Sequence, residues 1–112
     1  MTEPPTRPVA LVTGGRRGIG RGIAMALADA GFDLVINDLE RDRDAEDTLA
    51  ALAERGARGA FIAADIADLG AHAHLVDGAL GVFDRLDCLV NTRHSAPLQR
   101  LSARKRFLVA EW

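Results

Sequence analysis

Apolar residues along the chain follow two alternating patterns: short unbroken runs, and longer stretches in which they return every three or four positions. Pro8-Val9-Ala10-Leu11-Val12-Thr13 is too short for a helix and lacks polar alternation, which predicts a strand covered on both faces. Ile19, Ile23, Ala26, Leu27 and Ala30 then recur at helical spacing, and Gly31 sits where a left-handed residue would end that helix. Leu34-Val35-Ile36, followed by Asn37-Asp38, predicts a second strand. Ala45, Leu49, Leu52 and Ala53 mark a second amphipathic helix closed by Gly56. Ala60-Phe61-Ile62-Ala63-Ala64 is the third strand. Leu69, Ala73, Val76, Leu80 and Phe83 predict the apolar face of a third helix, with Asp68 as its N-cap, and Leu86 to Asn91 is a fourth strand. Parallel strands joined by right-handed helical crossovers give an α/β fold. The expectation is a truncated Rossmann fold with a four-stranded parallel sheet in the order 3-2-1-4 and three helices.

The connection between the first strand and first helix reads Thr13-Gly14-Gly15-Arg16-Arg17-Gly18-Ile19-Gly20. Glycines there allow a tight turn, close approach of backbone to phosphate, and close packing of helix on strand. The unpaired amides of a first helical turn favour an anion by about 0.3–1 kcal/mol per charge at an exposed site. Asp38 ends the second strand 18 residues after Gly20, near the offset of about 20 residues at which a carboxylate reaches a ribose hydroxyl. It would repel a 2′-phosphate, whereas Arg16 and Arg17 would attract one. Asp65 closes the third strand and has two readings: a hydrogen-bonding group at an adenine rim with Ile66 over the ring, or, like Asp68, a helix cap.

Composition narrows the field. The 112 residues suit one domain, and 48% hydrophobic content allows a modest core. A net charge of −2 argues against a nucleic-acid partner, and the lack of a long apolar run argues against a membrane one. The single cysteine, Cys88, excludes an internal disulfide and fits a packed thiol in the cytoplasm. His72 and His74 are two apart and point to different helix faces, so no metal site is assigned. Charge is unevenly spread: residues 1–92 carry 9 basic and 15 acidic side chains, residues 93–112 carry 5 and 1. The chain therefore divides into an N-terminal tail (1–7), a nucleotide-binding unit (8–91) and a divergent basic segment (92–112).

Residues 8–91 resemble the cofactor-binding portion of the short-chain dehydrogenase/reductase family, in particular its 3-oxoacyl-(acyl carrier protein) reductase-like members. The loop is similar to that family's Thr-Gly-x-x-x-Gly-x-Gly at every fixed position. The resemblance implies a dinucleotide with Gly14, Gly18, Ile19 and Gly20 at its pyrophosphate, and Arg16 and Arg17, beside the loop, join the expected cofactor-binding residues. It further implies that Asp38 binds ribose and favours NAD over NADP, and that Asp65 and Ile66 contact adenine. Leu86 to Asn91 looks like the strand leading into the family's Asn-Asn-Ala-Gly segment, which places Asn91 beside the cofactor.

After Asn91 the likeness breaks. The chain reads Asn91-Thr92-Arg93-His94, and Arg93 and His94 would crowd the cofactor's approach. The family's catalytic Asn, Ser, Tyr and Lys lie further along a typical member; this chain has no tyrosine and only one lysine, Lys105, so no catalytic residue is assigned. The expected function is the NAD(P)-binding portion of an oxidoreductase of carbonyl/alcohol lineage, without turnover by this chain. Two other classes stand beside it: a stand-alone nucleotide-binding or regulatory module, and a protein that binds acidic partners through its basic segment. Simultaneous loss of motif, charge balance and length suggests a gene fragment with a frameshift or deletion near codon 92. An uncovered fourth strand would offer its edge for self-association.

Overall fold

Unbroken apolar runs become strands because burial on both faces leaves no place for polar alternation. In the computed structural model, which describes residues 7–68, 70–92 and 108–111, the elements are β1 (Val9–Thr13), α1 (Gly18–Asp29), β2 (Asp33–Asp38), α2 (Arg43–Glu54), β3 (Gly59–Ala63), α3 (Ala71–Phe83), β4 (Cys88–Asn91) and β5 (Leu108–Glu111). All strand pairs are parallel and the order is β3-β2-β1-β4-β5. The first four strands and three helices form the expected truncated Rossmann arrangement. Every residue of β1 and β2 is buried, whereas β3, at the sheet edge, is half-exposed.

Side chains alternate across the sheet and build two cores. Val9, Leu11, Val35 and Leu89 face Leu75, Val76 and Ala79 of α3. Ala10, Val12, Leu34, Ile36 and Val90 face Ala24 and Ala28 of α1 and Leu52 of α2. Helices thus cover both faces, and the carboxyl ends of β1, β2 and β4 lie side by side. The chain leaves β1 toward β2 and β3 and returns on its other side as β4, so the strand order reverses at β1. Crevices at such reversals are where open α/β sheets take ligands.

Three expectations need correction. The buried stripe of α1 is Gly20, Ala24 and Ala28, with Ile19, Ala26 and Ala30 exposed; small residues let this helix lie close to the sheet. On α3 the buried residues are His72, Leu75, Val76 and Ala79, and Ala73 faces solvent. His72 joins the apolar face because its Nε2 meets the Ile66 carbonyl at 2.6 Å. Its N-cap is Gly70 rather than Asp68, whose carboxylate instead accepts from the Gly70 amide at 2.9 Å. Leu69 lies outside the described residues.

The fourth strand does not keep an open edge. β5 pairs with it, Cys88 opposite Leu108 through Asn91 opposite Glu111, so the row of donors and acceptors expected to drive self-association is engaged within the chain. At the opposite end of the sheet, fully buried Asp33 pairs with Arg58 at 2.7 Å and Arg7 at 3.1 Å. Asp87 there accepts the Val9 amide at 2.8 Å. Burial pushes the half-buried Cys88 thiol up from its ordinary value, as expected of a packed thiol.

Candidate functional site

The turn leaving β1 is shaped by backbone contacts that exclude side chains. Gly14 and Gly18 have φ of 64° and 62°, the left-handed region that suits glycine. A Cβ on Gly20 would lie 2.1 Å from the Gly14 carbonyl oxygen. The start of α1 is thereby pressed against the end of β1, with no room for any larger residue. Arg17 occupies the N-cap in an extended conformation and makes no side-chain cap, and the first turn holds no acidic residue. The first amides of a helix have no partner within it, so this end presents uncapped donors. The N-terminus of α2 is the opposite case: Asp42 caps it, and Asp44 and Glu46 lie in its first turn.

Asp38 stands one strand over, 4% exposed, its Oδ1 accepting the Leu39 amide at 2.9 Å. Arg16, expected as an attractor for a 2′-phosphate, is 6% exposed and turned inward. Its guanidinium is 2.7 Å from Asp42, 3.5 Å from Asp38 and 3.6 Å from Glu40. Its carbonyl accepts the Thr48 hydroxyl at 2.6 Å, which ties the loop to α2. Arg17 remains exposed, 3.6 Å from Asp44.

At the end of β4, Asn91 is 1% exposed and accepts the Thr13 hydroxyl at 2.9 Å. It lies in the β1–β4 seam beneath the crevice instead of on its wall. Thr92 takes the wall position, donating through its hydroxyl to the Thr13 carbonyl at 2.5 Å and through its amide to the Thr13 hydroxyl at 3.1 Å. Gly14, Arg17, Ile19, Gly20, Asp38 and Thr92 line a cleft of about 270 Å³. Ile19 is 59% exposed there. The glycine loop, Asp38 and the end of the fourth strand therefore meet around one space.

The third-strand pair is only partly placed there. Asp65 is exposed and its Oδ1 accepts the Ala67 amide at 2.9 Å, a local turn. Ile66 is 2% exposed in the core beneath α3, so its side chain is not available to cover an adenine ring. Arg93 and His94 lie outside the described residues. Sequence reasoning missed Thr92 and the Arg16 contacts with Glu40 and Asp42. The run Asp38-Leu39-Glu40-Arg41-Asp42 carried a signal for the latter, since carboxylates that dense beside a glycine loop need a cation.

Among the described residues no group of three or more His, Cys, Asp or Glu side chains is placed to hold a metal ion. No helix among them is long and apolar enough to cross a membrane.

The geometry has counterparts in known proteins. The chain is 42% identical over 83 residues to the hydroxynaphthalene reductase-like protein Arp2 of Metarhizium anisopliae, covering 74% of this chain and 31% of that protein. A subunit of a hydroxy(phenyl)methylsuccinyl-CoA dehydrogenase of Thauera aromatica, BbsD, is 37% identical over 108 residues, which cover 93% of this chain and 40% of that one. The crystal structure of a 3-oxoacyl-(acyl-carrier protein) reductase from Brucella melitensis in complex with NAD superposes with a TM-score of 0.72 and 48% identity, over 80% of this chain and 34% of that one. The chain thus spans about a third of the length of such relatives. The family profile described as short chain dehydrogenase matches residues 8–110, running past the compositional break at residue 92. On that match, together with the strand order and the glycine turn, the chain belongs to the short chain dehydrogenase family.

Proposed function

We propose that this chain holds the ADP half of a nicotinamide dinucleotide, with NAD favoured over NADP. The observation that carries the reading is the uncapped start of α1, pressed onto β1 at Gly20 and opening into a cleft with Asp38 on its wall. The fit is chemical as well as spatial. A pyrophosphate needs donors without competing carboxylates, and the first turn of α1 carries none. The amides of Gly18, Ile19 and Gly20 would take the pyrophosphate, with Gly14 giving clearance and Arg17 at the rim. Asp38 would accept from a ribose hydroxyl. Asp65 would serve adenine through its carboxylate, without the side chain of Ile66. Asn91 would act from below by fixing Thr13 and hence the turn.

When bound, the nicotinamide supplies or accepts a hydride, and family members named as reductases and dehydrogenases use such chemistry on carbonyls and alcohols. The resemblance assigns proton transfer to a tyrosine, and these 112 residues contain none. We therefore assign this chain dinucleotide binding without turnover of its own. Calorimetric titration with NAD, ADP and NADP tests the reading. NAD and ADP should bind with similar affinity and NADP more weakly; absence of saturable binding at millimolar ligand would refute it.

A further inference from the structure

Arg16 is the residue whose placement the dinucleotide reading leaves unused. It sits inside the glycine turn, yet its guanidinium lies among three carboxylates, those of Asp38 at the end of β2 and of Glu40 and Asp42 in the connection to α2, and it is not among the cleft-lining residues. Its Nε faces Asp38 at 3.5 Å as an ion pair without hydrogen-bond geometry, while its backbone amide is 3.4 Å from the same Asp38 oxygen. The 2.7 Å bond to Asp42 fixes the other end of the guanidinium, and Asp42 is itself held by its cap to the Ala45 amide at 3.0 Å. One buried cation thus joins the phosphate turn to the ribose carboxylate and to the start of α2.

We propose that Arg16 is a positioning residue for Asp38: it fixes the carboxylate for a ribose 2′-hydroxyl, and because Asp42 and Glu40 hold its charge inward it offers nothing to a 2′-phosphate. This deepens the dinucleotide reading and rests on it. Without Arg16, Asp38, Glu40 and Asp42 lose their common cation, and mutual repulsion drives Asp38 off its position. The amides at the start of α1 are untouched by that change. Phosphate affinity and hydroxyl discrimination should therefore separate.

The test is calorimetric binding of ADP and 2′-deoxy-ADP to the full chain, with folding of each variant checked by circular dichroism. The unaltered chain should prefer ADP by about tenfold, the scale of one hydrogen bond to a charged group. In Arg16→Met that preference should fall to about one, while 2′-deoxy-ADP binds within about threefold of its original affinity. Arg16→Lys, which restores charge without the fork, should recover part of the preference. Asp42→Asn keeps a capping residue at α2 but loses the anchor. It should lower the preference and raise NADP affinity, and it serves if Arg16→Met does not fold. A folded Arg16→Met or Asp42→Asn that keeps the tenfold preference overturns the role of Arg16. A chain that binds neither nucleotide overturns the dinucleotide reading itself, and a chain that binds both equally removes Asp38 from the ribose.

Discussion

Replacing Gly20 by alanine tests the contact on which the site is built, and Gly22 provides its control on the same helix. A Cβ at Gly20 meets the Gly14 carbonyl oxygen at 2.1 Å, the Gly14 carbonyl carbon at 2.7 Å and the Gly15 Cα at 3.0 Å. All three are backbone, so no side chain can swing aside. Relief from 2.1 Å to an ordinary 3.4 Å requires α1 to move by about 1.3 Å from the end of β1. Overpacking of this kind costs about 1–3 kcal/mol, and rigid neighbours put it at the upper end. At Gly22 nothing lies within 4 Å, and an exposed helix-interior glycine changed to alanine gains about 0.5–1 kcal/mol. Gly20→Ala should lower the urea midpoint by about 1 M and Gly22→Ala should raise it, with slopes unchanged. In the same preparations Gly20→Ala should lose ADP affinity, because the displaced amides no longer converge. Equal midpoints for the two variants, or undiminished ADP binding by Gly20→Ala, would show that the Gly20 contact does not set the position of these amides.

Three further outcomes follow from other contacts. Asp38→Ala should weaken NAD binding by about tenfold, the worth of a hydrogen bond to a charged acceptor, and narrow the gap between NAD and NADP in the same titration. Asp87 is held below the usual carboxylate range, first by its hydrogen bonds from Arg85 and also by the Val9 amide. A depressed folded value adds stability that is complete above the unfolded value of 3.8 and is lost as pH falls through the folded one. Acid unfolding of Asp87→Asn should therefore have a shallower limb below pH 4 than that of the unaltered chain. Replacing His72 by alanine leaves the Ile66 carbonyl without its 2.6 Å partner and should cost about 1–3 kcal/mol in urea denaturation.

Strands were the most legible elements. β1 and β2 are buried on both faces, and an uninterrupted apolar run records that condition directly. The glycine turn was equally plain, since positive φ at Gly14 and Gly18 and the clearance at Gly20 each demand the smallest residue. The faces of the helices were less so. In α1 closeness to the sheet selects Gly20, Ala24 and Ala28, which weigh little in a hydrophobic pattern, while the conspicuous Ile19 is exposed at the cleft. In α3 a histidine sits in the buried stripe because the carbonyl of Ile66, six residues earlier and outside the helix, accepts its hydrogen bond. The orientation of Arg16 depends on β2–α2 carboxylates brought together only by the fold. β5 is short, follows a basic stretch, and owes its place to pairing with β4, a nonlocal contact that local pattern does not encode.

In the proposed mode of binding, bare amides at the start of α1 receive a nucleotide pyrophosphate. Backbone amide chemical shifts of the isotope-labelled chain, followed during titration with ADP, address it residue by residue. Saturable shifts at Gly18, Ile19 and Gly20, with Asp38 responding to the same titration, are the expected result. Saturation of ADP binding with those three amides unmoved would place the pyrophosphate elsewhere.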